Sequence, residues 1–131
     1  RPDPPSPWPR RGPASRRPTS GRGNGRPGWV TGSPGGSRSI TAVLQGLLNV
    51  IDYRMTLAEA VQAPRIHHQW LPDETMVEAG VSPAMVKALQ ARGHNVKVWA
   101  PFTSTPSIVV TPQGLIGAAD TRTRGALAAG H

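Results

Sequence analysis

Trp29-Val30-Thr31-Gly32-Ser33-Pro34-Gly35-Gly36-Ser37-Arg38 joins a short apolar run to the most strongly amphipathic segment of the chain. Trp29 to Thr31 read as the end of a strand, and the Pro-Gly-Gly turn delivers the backbone directly into a helix. The first N–H groups of a helix have no partner within it, and the helix dipole adds positive character at the same end. Glycine lacks a Cβ, so a ligand can approach the main chain closely there. A turn of this kind binds negative charge, whether a phosphate, a carboxylate or the oxyanion of an acyl-transfer transition state. The phosphate-loop pattern GxxxxGK[ST] is absent, which favours the oxyanion.

Downstream of the turn, Ile40, Val43, Leu44, Leu47, Leu48 and Ile51 repeat at helical spacing as one apolar stripe, with Ser37 read as the N-cap. Burial of these side chains at about 1.5–3 kcal/mol each predicts a core helix that fixes the turn in space. Thr56-Leu-Ala-Glu59 has capping-box spacing, and Pro64 stops the short helix that it opens. Arg65 to Pro72 has no clear period and reads as extended. Thr75 to Glu78 reads as a strand, and Ser82-Pro83 through Gly93 as a capped helix. Val96 to Trp99 alternates as a strand does, and Ser107–Thr111 with Leu115–Ala118 form a hairpin about Pro112-Gln-Gly114. The order predicts an α+β domain with a mostly antiparallel sheet and packed helices.

Upstream, the composition changes. Residues 1–27 are dense in Pro, Arg, Gly and Ser, with too little apolar surface to offset chain entropy, and are expected to be a disordered tail. Seven arginines against Asp3 fall within residues 1–29, so the net charge of +8 belongs largely to that segment. An Arg/Gly-rich tail can bind RNA or DNA through phosphate charge and guanidinium stacking, but Trp8 is the one aromatic interleaved there. The composition is also what a GC-rich coding segment yields when read out of frame. With no cysteine, the chain has no disulfide framework and no thiolate metal site. No apolar run approaches the roughly 20 residues that span a bilayer. The chain starts with Arg, and is expected to be a piece of something longer.

Gly32-Ser-Pro-Gly-Gly-Ser-Arg38, Asn49-Val-Ile-Asp52, Ala63-Pro-Arg-Ile-His-His-Gln-Trp-Leu-Pro-Asp73, Gly93-His94 and Gly117-Ala-Ala-Asp-Thr-Arg122 resemble the γ-glutamyltranspeptidase (glutathione hydrolase) family. The resemblance is to the C-terminal part of the small subunit and covers about residues 28–131. It implies part of an N-terminal-nucleophile (Ntn) hydrolase αββα sandwich. In that family a precursor cleaves itself into large and small subunits and exposes an N-terminal threonine. The threonine takes the γ-glutamyl group from glutathione or another γ-glutamyl compound and passes it to water, an amino acid or a peptide. Gly35 and Gly36 match the oxyanion-hole glycines, so the resemblance makes their N–H groups both the catalytic and the substrate-binding contacts. It implies no cofactor and no metal. The implied partners are the large subunit and the rest of the small subunit, and the implied location is periplasmic or extracellular.

The threonine and the stretch that holds the glutamate lie upstream in the family and are absent here. The region Arg17-Pro-Thr-Ser-Gly-Arg-Gly-Asn24 does not align with the family's Pro-Leu-Ser-Ser-Met-like motif, so Thr19 and Ser20 receive no role. An inactive fragment is therefore the expectation for the chain by itself. Packing is favoured over metal binding for the adjacent His67 and His68. Asp120 and Arg122 are read as a local surface ion pair, Trp70 and Trp99 as core or subunit-interface residues, and Ser33 and Ser37 as turn or cap residues.

Overall fold

The computed structural model describes residues 19–23 and 26–130. Strands β1 (Thr19–Gly23) and β2 (Arg26–Thr31) precede helix α1 (Ser37–Ile51) and helix α2 (Leu57–Gln62). Then follow β3 (Ile66–His67), β4 (Thr75–Glu78), helix α3 (Pro83–Ala91), β5 (Val96–Trp99), β6 (Ser107–Thr111) and β7 (Gly114–Ala118). They make two sheets, ordered β1-β2-β6-β7 and β3-β4-β5. The first is antiparallel throughout; in the second, β4 and β5 run parallel, as the intervening α3 requires.

The strand β1 and the start of β2 fall inside the segment expected to be a disordered tail. Their pairing tolerates the composition, because β1 is an edge strand and Pro27 sits where the register shifts beside Gly21 and Arg22. Beyond Gly28 the chain enters the sheet proper, with Trp29 opposite Val109 and Thr31 opposite Ser107. The earlier part of the tail, including Trp8, lies outside the described residues.

The core gathers Trp29, Leu57, Val61 and Ala118, with Leu47, Val50 and Val109 packed against it. The α1 stripe is not that core. Ile40, Leu44, Leu48 and Ile51 are 74%, 51%, 38% and 67% exposed, while Val43 and Leu47 are half-buried. The face of α1 that meets the body carries Thr41, Ala42 and Gln45 instead. Gln45 closes the edge of β3 as a strand would: its Nε2 donates to the Ile66 carbonyl at 2.7 Å and its Oε1 accepts from the Ile66 N–H at 2.9 Å. The helix is thus fixed by polar pairing and by Leu47 and Val50 in its C-terminal half, with Ile40, Leu44, Leu48 and Ile51 of its apolar stripe outward.

The remaining elements follow their sequence signals. Thr56 and Glu59 complete the reciprocal capping box of α2, and Ser82 accepts from the Met85 N–H at the start of α3.

Candidate functional site

The turn of residues 32–36 is held at both ends. Thr31 is buried at the end of β2, and its Oγ1 accepts from the Ser107 Oγ at 2.9 Å. At the other end the N-cap of α1 is Gly36, not Ser37, and no side chain caps the helix. Ser37 occupies the first helical position, and its hydroxyl donates to Gln69 Oε1 at 2.8 Å. Gly35 and Gly36 have φ of 122° and 61°, values that disfavour residues with a Cβ. A Cβ on Gly35 would stand 2.8 Å from Thr103 Oγ1.

The Gly36 carbonyl accepts from the Ser39 N–H at 3.1 Å. Among the described residues, the Gly35 and Gly36 amides have no acceptor, and both glycines are exposed. Two donors are thereby left at the positive end of a 15-residue helix. Nearby, the Arg38 guanidinium lies 5.1 Å from the centroid of Trp99 and 5.9 Å from that of Phe102. An open cleft of about 600 Å³ borders the turn at Gly32 and Pro34, walled by Ser107, Ala118 and Leu127; Gly35 and Gly36 are not in its lining.

Behind the turn stands a buried ionic network. The Arg65 Nη2 meets Asp120 Oδ2 at 2.8 Å, and Arg122 bridges Asp120 Oδ1 at 3.1 Å and Glu78 Oε2 at 2.5 Å. Glu78 also accepts from the N–H groups of Arg65 and Phe102, and Asp120 from that of Thr105. Burial pushes the carboxyls of Glu78 and Asp120 up. Hydrogen bonds from Arg122 to Glu78 and from Arg65 to Asp120, aided by backbone donors, outweigh it and hold both below the usual carboxylate range. Burial lowers Arg65, with only partial compensation from Asp120. Burial also opposes the charge of Arg122, but its bond to Glu78 and the field of Asp120 raise it.

The network reaches the turn through the loop after β5. Arg65 Nη1 donates to the Thr103 carbonyl at 2.5 Å and Nη2 to Thr105 Oγ1 at 2.6 Å. Thr103 in turn donates through its hydroxyl to the Pro34 carbonyl, and its Oγ1 lies 2.8 Å from Ser33 Oγ. Asp120 and Arg122 therefore do form a local pair, but the surface reading is corrected: Asp120 is fully buried, because two arginines and the Thr105 amide satisfy it. Thr103 was missed as a partner of the turn, and Arg65 and Glu78 as members of the network behind it. No local pattern in the sequence specifies contacts such as Thr103 with Pro34, 69 positions apart, or Arg65 with Thr103, 38 apart.

The other sequence candidates are scattered. His67 is buried, with Nδ1 2.7 Å from Thr41 Oγ1 and Nε2 3.1 Å from Gln69 Oε1. His68 faces Asp73 at 3.2 Å. Trp70 is 77% exposed and Trp99 39%, so neither is a core residue of this chain. Thr19 and Ser20 lie on β1. The tail arginines that carry the nucleic-acid reading fall mostly outside the described residues.

A family model described as gamma-glutamyltranspeptidase matches residues 9–130, so the match reaches well into the Arg/Pro-rich segment. The glutathione hydrolase proenzyme of Escherichia coli (strain K12) is 51% identical over 119 residues, covering 90% of this chain and 20% of that protein. The corresponding proenzyme of Pseudomonas sp. (strain A14) is 43% identical over 105 residues, covering 79% and 18%. An acivicin-inhibited gamma-glutamyltranspeptidase, whose C-terminus has critical roles in autoprocessing and catalysis, matches with a TM-score of 0.77 at 41% identity, over 84% of this chain and 61% of that one. The Pseudomonas nitroreducens enzyme complexed with L-DON gives 0.79 at 32% identity, over 89% and 63%. The chain spans about a fifth of the length of these curated relatives.

Proposed function

Because the chain belongs to the gamma-glutamyltranspeptidase family and folds as part of its Ntn-hydrolase sandwich, we propose that it supplies the oxyanion hole of a γ-glutamyl transfer enzyme. In this reading residues 28–131 are the C-terminal part of the small subunit, set apart by composition from residues 1–27. The observation that carries the proposal is the pair of unaccepted amides, Gly35 and Gly36, at the start of α1.

The chemistry needs a nucleophile from elsewhere in the precursor. Its threonine hydroxyl adds to the γ-glutamyl carbonyl of glutathione or a related amide, and the carbonyl oxygen becomes an alkoxide. The two N–H groups hydrogen-bond to that oxygen more strongly as its charge develops, which lowers the barrier rather than only tightening binding. Collapse expels the amine with a proton and leaves a γ-glutamyl ester on the threonine. Water or an amino acid or peptide amine then attacks that ester through a second alkoxide in the same place. The partners are the large subunit and the rest of the small subunit, and the location proposed by kinship is periplasmic or extracellular. No described helix is long and apolar enough to cross a membrane.

The test is a chimera of the Escherichia coli proenzyme whose matching segment is replaced by residues 28–131. It is expected to process itself and hydrolyse γ-glutamyl-p-nitroanilide. Gly36 combines φ 61° with ψ −131°, so Gly36→Ala must swing the peptide and its amide away. The expected result is a kcat lowered about 10²–10³-fold with processing intact. A processed Gly36→Ala chimera with undiminished kcat overturns the proposal.

A further inference from the structure

We infer that Thr103 is a positioning residue that aims the Gly35 amide, holding it by the carbonyl of the same peptide unit. The inference rests on the oxyanion reading of the turn but concerns a residue outside it.

The peptide between Pro34 and Gly35 is trans, so its C=O and N–H point in opposite directions within one plane. Fixing the carbonyl fixes the amide. Two hydroxyls converge on the Pro34 carbonyl: Thr103 Oγ1 donates to it, and Ser33 Oγ approaches it at 3.2 Å. The two hydroxyls are 2.8 Å apart and steady one another. With the carbonyl occupied on the Thr103 side, the Gly35 N–H is directed to the opposite side, where no described group accepts it. Among the described residues, nothing comparable holds the Gly35 carbonyl, so the clamp concerns the Gly35 amide and not that of Gly36.

The clamp is anchored, not merely adjacent. Arg65 holds the Thr103 carbonyl from behind at 2.5 Å, and its side chain is fixed by buried Asp120. Thr103 itself has φ 49°, a left-handed conformation that is costly for a β-branched residue. A strained threonine placed against Gly35 at the distance where a Cβ would collide indicates that the hydroxyl, not backbone preference, accounts for the residue type there.

The strain gives a test that separates positioning from simple support. Glycine at position 103 suits the backbone and removes the hydroxyl, so Thr103→Gly in the full 131-residue chain is expected to melt no lower than the parent. By ¹⁵N relaxation, the Gly35 amide order parameter is expected to fall from about 0.85 to below about 0.6, with Gly93 at the end of α3 unchanged. Thr103→Ser is expected to restore the order. Should Gly35 stay as rigid in Thr103→Gly as in the parent, or Thr103→Ser fail to restore it in a folded chain, the clamp is refuted. A parent chain already mobile at Gly35 refutes it equally. No ligand enters this measurement, so it is decided separately from the chimera: a neutral Gly36→Ala there removes the oxyanion role and leaves the clamp standing.

Discussion

At the residue scale, the most consequential groups are Asp120 and Glu78, because each is buried and paired with arginine. Asp120→Asn leaves Arg65 buried against a neutral partner, and is expected to cost about 3–5 kcal/mol at pH 7 by urea unfolding. The same carboxylates set the acid limit. Both have folded-state pKa values below their unfolded ones, so their contribution is complete above the unfolded values of about 3.9–4.3. It is lost as pH falls through the lower folded values. Urea midpoints taken from pH 7 to pH 2 are expected to drop steeply below about pH 4 in the parent and less steeply in Asp120→Asn. Equal acid slopes in the two chains would remove the network from the account of stability. The glycine turn was legible in the sequence because Pro-Gly-Gly ahead of a helical stripe marks a backbone that adopts positive φ before entering a helix. Thr103 was not, since its role depends on a loop 67 positions away from Gly36 in the chain being drawn against the turn by Arg65.

At the scale of elements, α1 and α2 divide the work differently from their hydropathy. The six-residue α2 buries Leu57, Ala60 and Val61, whereas the 15-residue α1 buries Ala42. Leu57→Ala is expected to cost about 2–5 kcal/mol by the cavity that it opens. Leu44→Ala, on the outward stripe, is expected to change stability by no more than about 0.5 kcal/mol in the same unfolding experiment. A reversed ranking would return the stripe to the core. Thr56→Ala removes the capping box and is expected to cost about 1 kcal/mol. Helical period announced α1 correctly as a helix, yet period alone does not say what covers its apolar face. The inward face was hidden from the sequence because it works through Thr41 and Gln45, whose partners His67 and Ile66 come 26 and 21 positions later.

At the scale of the molecule, apolar faces lie open among the described residues, and two of them are extended. One is the α1 stripe. The other is the side of the β6–β7 hairpin that shows Ile108, Val110 and Leu115, which the pairing of Val110 with Leu115 places together. Surfaces of this kind on one chain mark places where further protein belongs. The purified chain is expected to associate with rising concentration in sedimentation velocity, and Val110→Lys with Leu115→Lys to suppress it. On the proposed reading it is also expected to leave γ-glutamyl-p-nitroanilide unhydrolysed, since the donors of Gly35 and Gly36 would have no developing charge to stabilise without a nucleophile. The sequence by itself determined the order of helices and strands from Trp29 onward apart from the two-residue β3, the caps of α2 and α3, the hairpin and the glycine turn that leads into α1. Each of these is written in neighbours a few positions apart, where backbone preference and side-chain spacing act directly. Only the tertiary structure decided which face of α1 is inward, that β1 pairs despite its composition, and that Arg65, Glu78, Asp120 and Arg122 form one buried network behind Thr103. Those outcomes depend on residues far apart in the chain desolvating one another, and no local pattern encodes that energy.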